Sequence, residues 1–111
     1  MELTVDSIGS VTVIQLPVEN LDAGNTKEFK RQASPLLEAK AKLVFDLAKV
    51  QFVDSSGLGA LLSCLRQVNA KGGDLKLCCL TKQVRLIFDL VRLHRKFEIF
   101  NTREAAAKTY A

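Results

Sequence analysis

Phe52-Val53-Asp54-Ser55-Ser56-Gly57-Leu58-Gly59-Ala60-Leu61-Leu62 is the stretch that decides the fold. Upstream, Leu43-Val44-Phe45-Asp46-Leu47 has the length and apolar density of a buried strand, and Phe52-Val53 returns the chain to the polar motif. From Leu58 onward the apolar residues fall at Leu58, Leu61, Leu62, Leu65 and Val68, the spacing of one helical face. Asp54-Ser55-Ser56-Gly57 therefore sits at a strand-to-helix junction. Either Asp54 or Ser55 can act as N-cap, accepting a hydrogen bond from a backbone N–H that the first turn leaves unpaired. Ser56 falls in that first turn, where its hydroxyl can point to solvent. The same four residues also make good capping chemistry with no further role. A phosphate at Ser56 would meet the positive end of the helix dipole, so the fold should tolerate it, while the local surface gains a charge of about −1.5 to −2.

The rest of the chain sets the bounds. Its 111 residues suffice for one domain, taken as 1–111. With 48% hydrophobic and 25% charged residues, the composition argues against disorder for the chain as a whole. No apolar run approaches the roughly 20 residues of a membrane span, and the polar opening Met1-Glu2-Leu3-Thr4-Val5-Asp6 does not resemble a secretion signal. A cytoplasmic protein without membrane insertion is expected. Cys64, Cys78 and Cys79 are an odd set with no metal-ligand spacing. If the strand continues through them, the vicinal pair points to opposite faces, and all three read as reduced packing residues. No metal or cofactor signature is present. The net charge of +4 is spread among interleaved acids without an aromatic stacking pattern, which argues against direct nucleic-acid binding.

Along the chain, Leu3-Thr4-Val5, a turn at Gly9 and the alternating run Val11 to Leu16 predict an antiparallel hairpin that Pro17 ends. Asn20-Leu21-Asp22 leads into a helix burying Phe29, Ala33, Leu36 and Leu37, which should bend or break at Pro35. The strand Leu43 to Leu47 follows, then a helix from the serine motif to about Ala70, closed by Lys71-Gly72-Gly73. Next come a strand at Leu75 to Cys78 and a helix capped by Thr81, with Val84, Ile87, Phe88 and Val91 forming an apolar stripe that Leu86 and Leu90 widen. Phe97 to Phe100 reads as a last strand, and Thr102 caps a terminal helix through Lys108. Helices alternating with strands after the hairpin imply parallel crossovers. The expected fold is α/β, a mixed sheet of four to five strands that begins with the hairpin, with about four helices mainly on one face.

The serine motif, placed after Leu43 to Leu47 and before Gly72-Gly73-Asp74-Leu75, resembles the STAS domain of the anti-sigma factor antagonist family. Lys82-Gln83-Val84-Arg85-Leu86-Ile87-Phe88, Leu93 and Phe97 to Phe100 resemble it in order and spacing too, so the likeness spans nearly the whole chain. It implies that Ser56 is phosphorylated by a partner that is both anti-sigma factor and serine kinase. The bare form would bind that partner and free the sigma factor, phosphorylation would weaken the complex, and a metal-dependent serine phosphatase would restore it. The implied partner-facing residues are Asp22, Asp54, Ser55, Ser56, Gly57 and Leu58, with Asp54 positioning Ser56 and Gly57 allowing the kinase close. The family's Gly-Glu-Leu-Asp-like turn is only half present, since Leu21-Asp22 matches and the glycine does not.

Two other readings compete. A catalytic serine lacks a Gly-x-Ser-x-Gly elbow, and the only histidine, His94, stands between basic residues, so the chain is expected not to be an enzyme. A STAS adaptor that is never phosphorylated, in a signalling or lipid-transport complex, shares the fold but has no need of the serine pair.

Overall fold

In the computed structural model, which describes residues 1–110, the chain opens with β1 (Thr4–Ile8) and β2 (Val11–Gln15), paired antiparallel around Gly9, whose φ of +59° suits a glycine turn. The sequence then gives β3 (Asn20–Leu21), α1 (Thr26–Ala39), β4 (Lys42–Asp46), β5 (Phe52–Val53), α2 (Ser55–Ala70), β6 (Asp74–Cys78), α3 (Lys82–Leu90), a short 3-10 turn (Leu93–Arg95), β7 (Ile99–Phe100) and α4 (Arg103–Lys108). The main sheet runs β1-β2-β4-β6-β7, with every pair after the hairpin parallel. A separate two-stranded sheet joins β3 to β5 in parallel. The mixed sheet opening on a hairpin is as expected. The small sheet was not foreseen, because two-residue strands leave no periodicity to read.

Alternation along the strands divides the core. Ile14, Leu43, Phe45, Leu75 and Leu77 face one side, where they are buried with Phe29 and Leu37 of α1, Leu61 and Val68 of α2, and Phe88 of α3. Phe29 meets Phe45 edge-on, with ring centroids 5.6 Å apart. Val11, Val13, Val44 and Cys78 face the other side, covered by Ala106 and Ala107 of α4. Small alanines let this short helix lie close to the sheet.

Polar anchors finish the second face. Arg103 donates two bonds to Asp46 Oδ2, at 2.7 and 3.1 Å, and a third to Asp6 Oδ2 at 2.8 Å, tying α4 to β4 and the edge strand β1. Asp46 is only 3% exposed, so the guanidinium supplies the charge that its burial requires. Lys76, also buried, sends its ammonium to Thr109 Oγ1 at 2.6 Å and over the Tyr110 ring, 4.3 Å from the centroid. The Tyr110 hydroxyl reaches the Leu43 and Asp74 carbonyl oxygens at 2.7 and 2.9 Å.

Two helices depart from the sequence reading. α1 runs through Pro35 without a break. Pro35 and Arg31 are both exposed, so the single carbonyl deprived of its rung faces water and the buried side, Phe29, Ala33 and Leu37, is undisturbed; Leu36 is only partly buried. In α3, Val84 and Phe88 are buried, but Leu86, Leu90 and the C-cap residue Val91 are 62%, 82% and 51% exposed. Six apolar positions on one short helix exceed what a single packed face can cover. α2 closes as read, with Gly72 at φ +86° and the Gly73 N–H bonded to the Val68 carbonyl at 3.0 Å.

Arg103→Ala strands a buried carboxylate and is expected to cost about 3 kcal/mol in urea unfolding, the low end for a broken buried pair because the arginine side chain is partly exposed. Adding Asp46→Asn to that variant should recover part of the loss. Burial, reinforced by the Asp74 carboxylate, pushes the Tyr110 phenol up. Its contribution is therefore intact below the unfolded value of about 10 and is lost as pH rises toward the folded one. Tyr110→Phe should show a shallower loss of stability above pH 10 than the parent chain.

Candidate functional site

Asp54 is the N-cap of α2. Its Oδ1 accepts the Gly57 N–H at 2.8 Å, and its carbonyl accepts the Leu58 N–H at 2.9 Å. The other carboxylate oxygen, Oδ2, accepts the Ala23 N–H at 3.2 Å, so one side chain fixes both the helix start and the turn that follows β3. That turn is held from within by a pair of side-chain caps. Asp22 Oδ1 accepts from Gly24 N–H at 2.9 Å, and Asn25 Oδ1 accepts from Asp22 N–H at 3.0 Å. The small sheet brings the two halves together, because β3 alongside β5 places Leu21-Asp22 beside Val53-Asp54.

With Asp54 serving as cap, Ser55 and Ser56 stand free of that duty, and both are exposed in the first turn. Asp22 and Asp54 are half-buried beside them, and Leu58 is partly buried against the core. The turn from Asp22, the capping carboxylate and the two hydroxyls thus belong to one surface. A dianion at Ser56 would stand at the helix's positive end while adding to the negative charge of Asp54.

Gly57 is different. It is buried, and a Cβ there would lie 2.3 Å from the Leu21 carbonyl oxygen and 2.6 Å from Val53 Cγ1. The sequence reading made it an opening for an approaching kinase. The space it leaves is instead filled by β3 and β5, and Gly57 acts by letting α2 seat on them.

Phe52 was missed by the sequence reading. It precedes the motif on β5 and is 50% exposed, and an aromatic unneeded by the core beside a polar motif was the available signal. α3 packs against β5, and Leu86 and Leu90 on it and Val91 at its C-cap are left uncovered. The stretch 82–96 carries Lys82, Arg85, Arg92, Arg95 and Lys96 against Asp89 alone, a surplus equal to the chain's entire net charge of +4. The surplus of positive charge is thus concentrated there, while the other eleven basic residues are matched by eleven acids. His94 Nδ1 lies 3.6 Å from Asp89, which gives the histidine a carboxylate partner on α3 itself.

A mixed sheet entered through a hairpin and continued by parallel strands with α1, α2 and α3 packed on one face is the architecture of a STAS domain. The chain matches the STAS domain family over residues 2–106 and belongs to it. It is 30% identical over 94 residues to the anti-sigma-B factor antagonist of Bacillus subtilis, covering 84% of this chain and 86% of that protein. Among solved structures, it superposes on the anti-sigma factor antagonist SpoIIAA in its unphosphorylated form with a TM-score of 0.79, at 22% identity and covering 98% and 96% of the two chains. The phosphorylated form of Bacillus SpoIIAA matches with a TM-score of 0.72, at 21% identity and covering 99% and 100%. No helix among the described residues is long and apolar enough to cross a membrane.

The two glycines of the motif separate packing from exposure. Gly57→Ala should destabilise by about 2–3 kcal/mol, because backbone on one side cannot give way. Gly59→Ala has open space and should stabilise by about 0.5–1 kcal/mol. Thermal unfolding of both variants checks the contrast.

Proposed function

We propose that this chain is an anti-sigma factor antagonist whose binding is switched by phosphorylation of Ser56. The observation that carries the reading is the exposed Ser56 hydroxyl in the first turn of α2, beside a neighbouring carboxylate already committed to capping. The relatedness to an anti-sigma-B factor antagonist, and a fold shared with SpoIIAA in both phosphorylation states, support it. With Ser56 bare, the surface of Asp22, Asp54, Ser55, Ser56 and Leu58 binds an anti-sigma factor that is also a serine kinase, and the sigma factor is released. Gly57 shapes that surface from beneath.

The kinase moves the γ-phosphoryl group of ATP to Ser56 Oγ. The product places a charge of about −1.5 to −2 at an interface that fitted a neutral hydroxyl, and the complex weakens through repulsion and desolvation rather than through unfolding. A metal-dependent serine phosphatase returns the binding form. The chain is thereby substrate and ligand, not catalyst, and works in the cytoplasm. The exposed apolar side chains of α3 and their surrounding cations extend the grip available to such a partner.

Incubation with the cognate kinase and ATP, followed by mass spectrometry, should place one phosphate on wild type and Ser55→Ala and none on Ser56→Ala. Labelling that persists in Ser56→Ala overturns the assignment. Ser56→Asp should bind the kinase at least tenfold more weakly with an unchanged melting temperature. Equal binding by that variant rejects the electrostatic switch, and absence of any complex with wild type favours the unphosphorylated adaptor.

A further inference from the structure

Cys78 ends β6 on the α4 face of the sheet, and Cys79 follows with φ +65°, in the left-handed region. That turn cancels the alternation a continuing strand would impose. The two sulfurs, expected on opposite faces, lie 3.3 Å apart. Cys78 is buried and Cys79 half-buried, so the pair has an outlet to solvent. The backbone is fixed on both sides, with the Leu47 N–H bonded to the Cys78 carbonyl and the Cys79 N–H to the Phe100 carbonyl, each at 3.0 Å. The Asp46 carboxylate completes a cluster whose three donor atoms all lie within 4.8 Å of one another.

We propose that Cys78 and Cys79 form a preorganised dithiol site that captures one trivalent arsenical through both sulfurs. The geometry favours a bridging atom over a direct bond. A disulfide would have to shorten the gap to about 2.05 Å within a backbone held at both ends. For bonds to sulfur of about 2.3 Å, the length found in zinc thiolates, the observed gap corresponds to an angle of about 90° at the bridging centre. A pyramidal trivalent centre adopts such an angle more readily than a tetrahedral zinc ion does.

The chemistry suits the surroundings. Burial pushes both thiols up, so they are protonated at neutral pH and poor at thiolate exchange. Condensation needs no thiolate product. With the arsenical in its hydrated form, R–As(OH)2, each S–H and one As–OH yield an S–As bond and a water molecule, two waters leave in all, and nothing is oxidised or reduced. With inorganic arsenite, the hydroxyl that arsenic keeps has the Asp46 carboxylate nearby as acceptor.

The probe is phenylarsine oxide, added to the folded chain in native buffer, with intact-mass measurement. One adduct per chain is expected, stable to excess 2-mercaptoethanol and removed by 2,3-dimercaptopropanol. Thiols counted after denaturation should fall from the three of Cys64, Cys78 and Cys79 to one. Cys64→Ser should keep the adduct, while Cys78→Ser and Cys79→Ser should each lose it, with all three variants checked for folding by circular dichroism. An adduct taken only by the urea-unfolded chain, or one that survives in folded Cys79→Ser, overturns the proposal. The outcome is independent of what happens at Ser56.

Discussion

The Asp54 carboxylate, shared between the first turn of α2 and the turn after β3, is the contact on which the exposed end of this domain depends. Strands of two residues have too few ladder bonds to hold themselves together. They persist because Leu21 and Val53 are buried beneath α2 and because one ionised side chain bonds both neighbours. Hydrogen bonds to a charged acceptor contribute about 1.5–3 kcal/mol each, so the loss of this acceptor would release the turn and fray the helix together. The bare backbone of Gly57 makes the arrangement possible, since any side chain would push α2 off the Leu21 carbonyl.

This construction separates the part that changes from the part that holds. The large apolar core lies under α1, α2 and α3, and the opposite face is closed by α4 through charge and aromatic contacts. Ser56 belongs to neither. A phosphoryl group can come and go at the rim without crossing the packed layers, and the first turn already offers the partial positive charge that accommodates it. The uncovered leucines of α3 follow from the same division, because a nine-residue helix can bury only the positions that face the sheet.

Much of the fold was legible because long elements carry strong periodicity. The hairpin around Gly9, the α2 face through Val68 and the Gly72-Gly73 ending each followed from a local rule that nothing in the tertiary structure opposed. Three features escaped for distinct reasons. Pro35 was harmless because it fell on the solvent side, and exposure cannot be read from a proline alone. The β3–β5 pairing depends on a contact between segments about thirty residues apart. Cys79 adopts a left-handed backbone that its residue type disfavours, so the alternation rule gave the wrong face. At the site, the serines and their capping acid were readable from spacing. The second duty of Asp54 and the true neighbour of Gly57 were not, since both are set by the returning β3 segment.

Arg103 clasps Asp6 and Asp46 simultaneously, joining positions near the two extremes of the sequence. During synthesis, the edge strand bearing Asp6 leaves the ribosome long before the arginine that fastens it. Until then the hairpin lacks its clasp and the buried acid lacks its counterion, so the nascent domain passes through a stage with an unlatched sheet edge open to intermolecular pairing. Vectorial emergence makes this contact a late one, closing only after every strand of the sheet has left the ribosome.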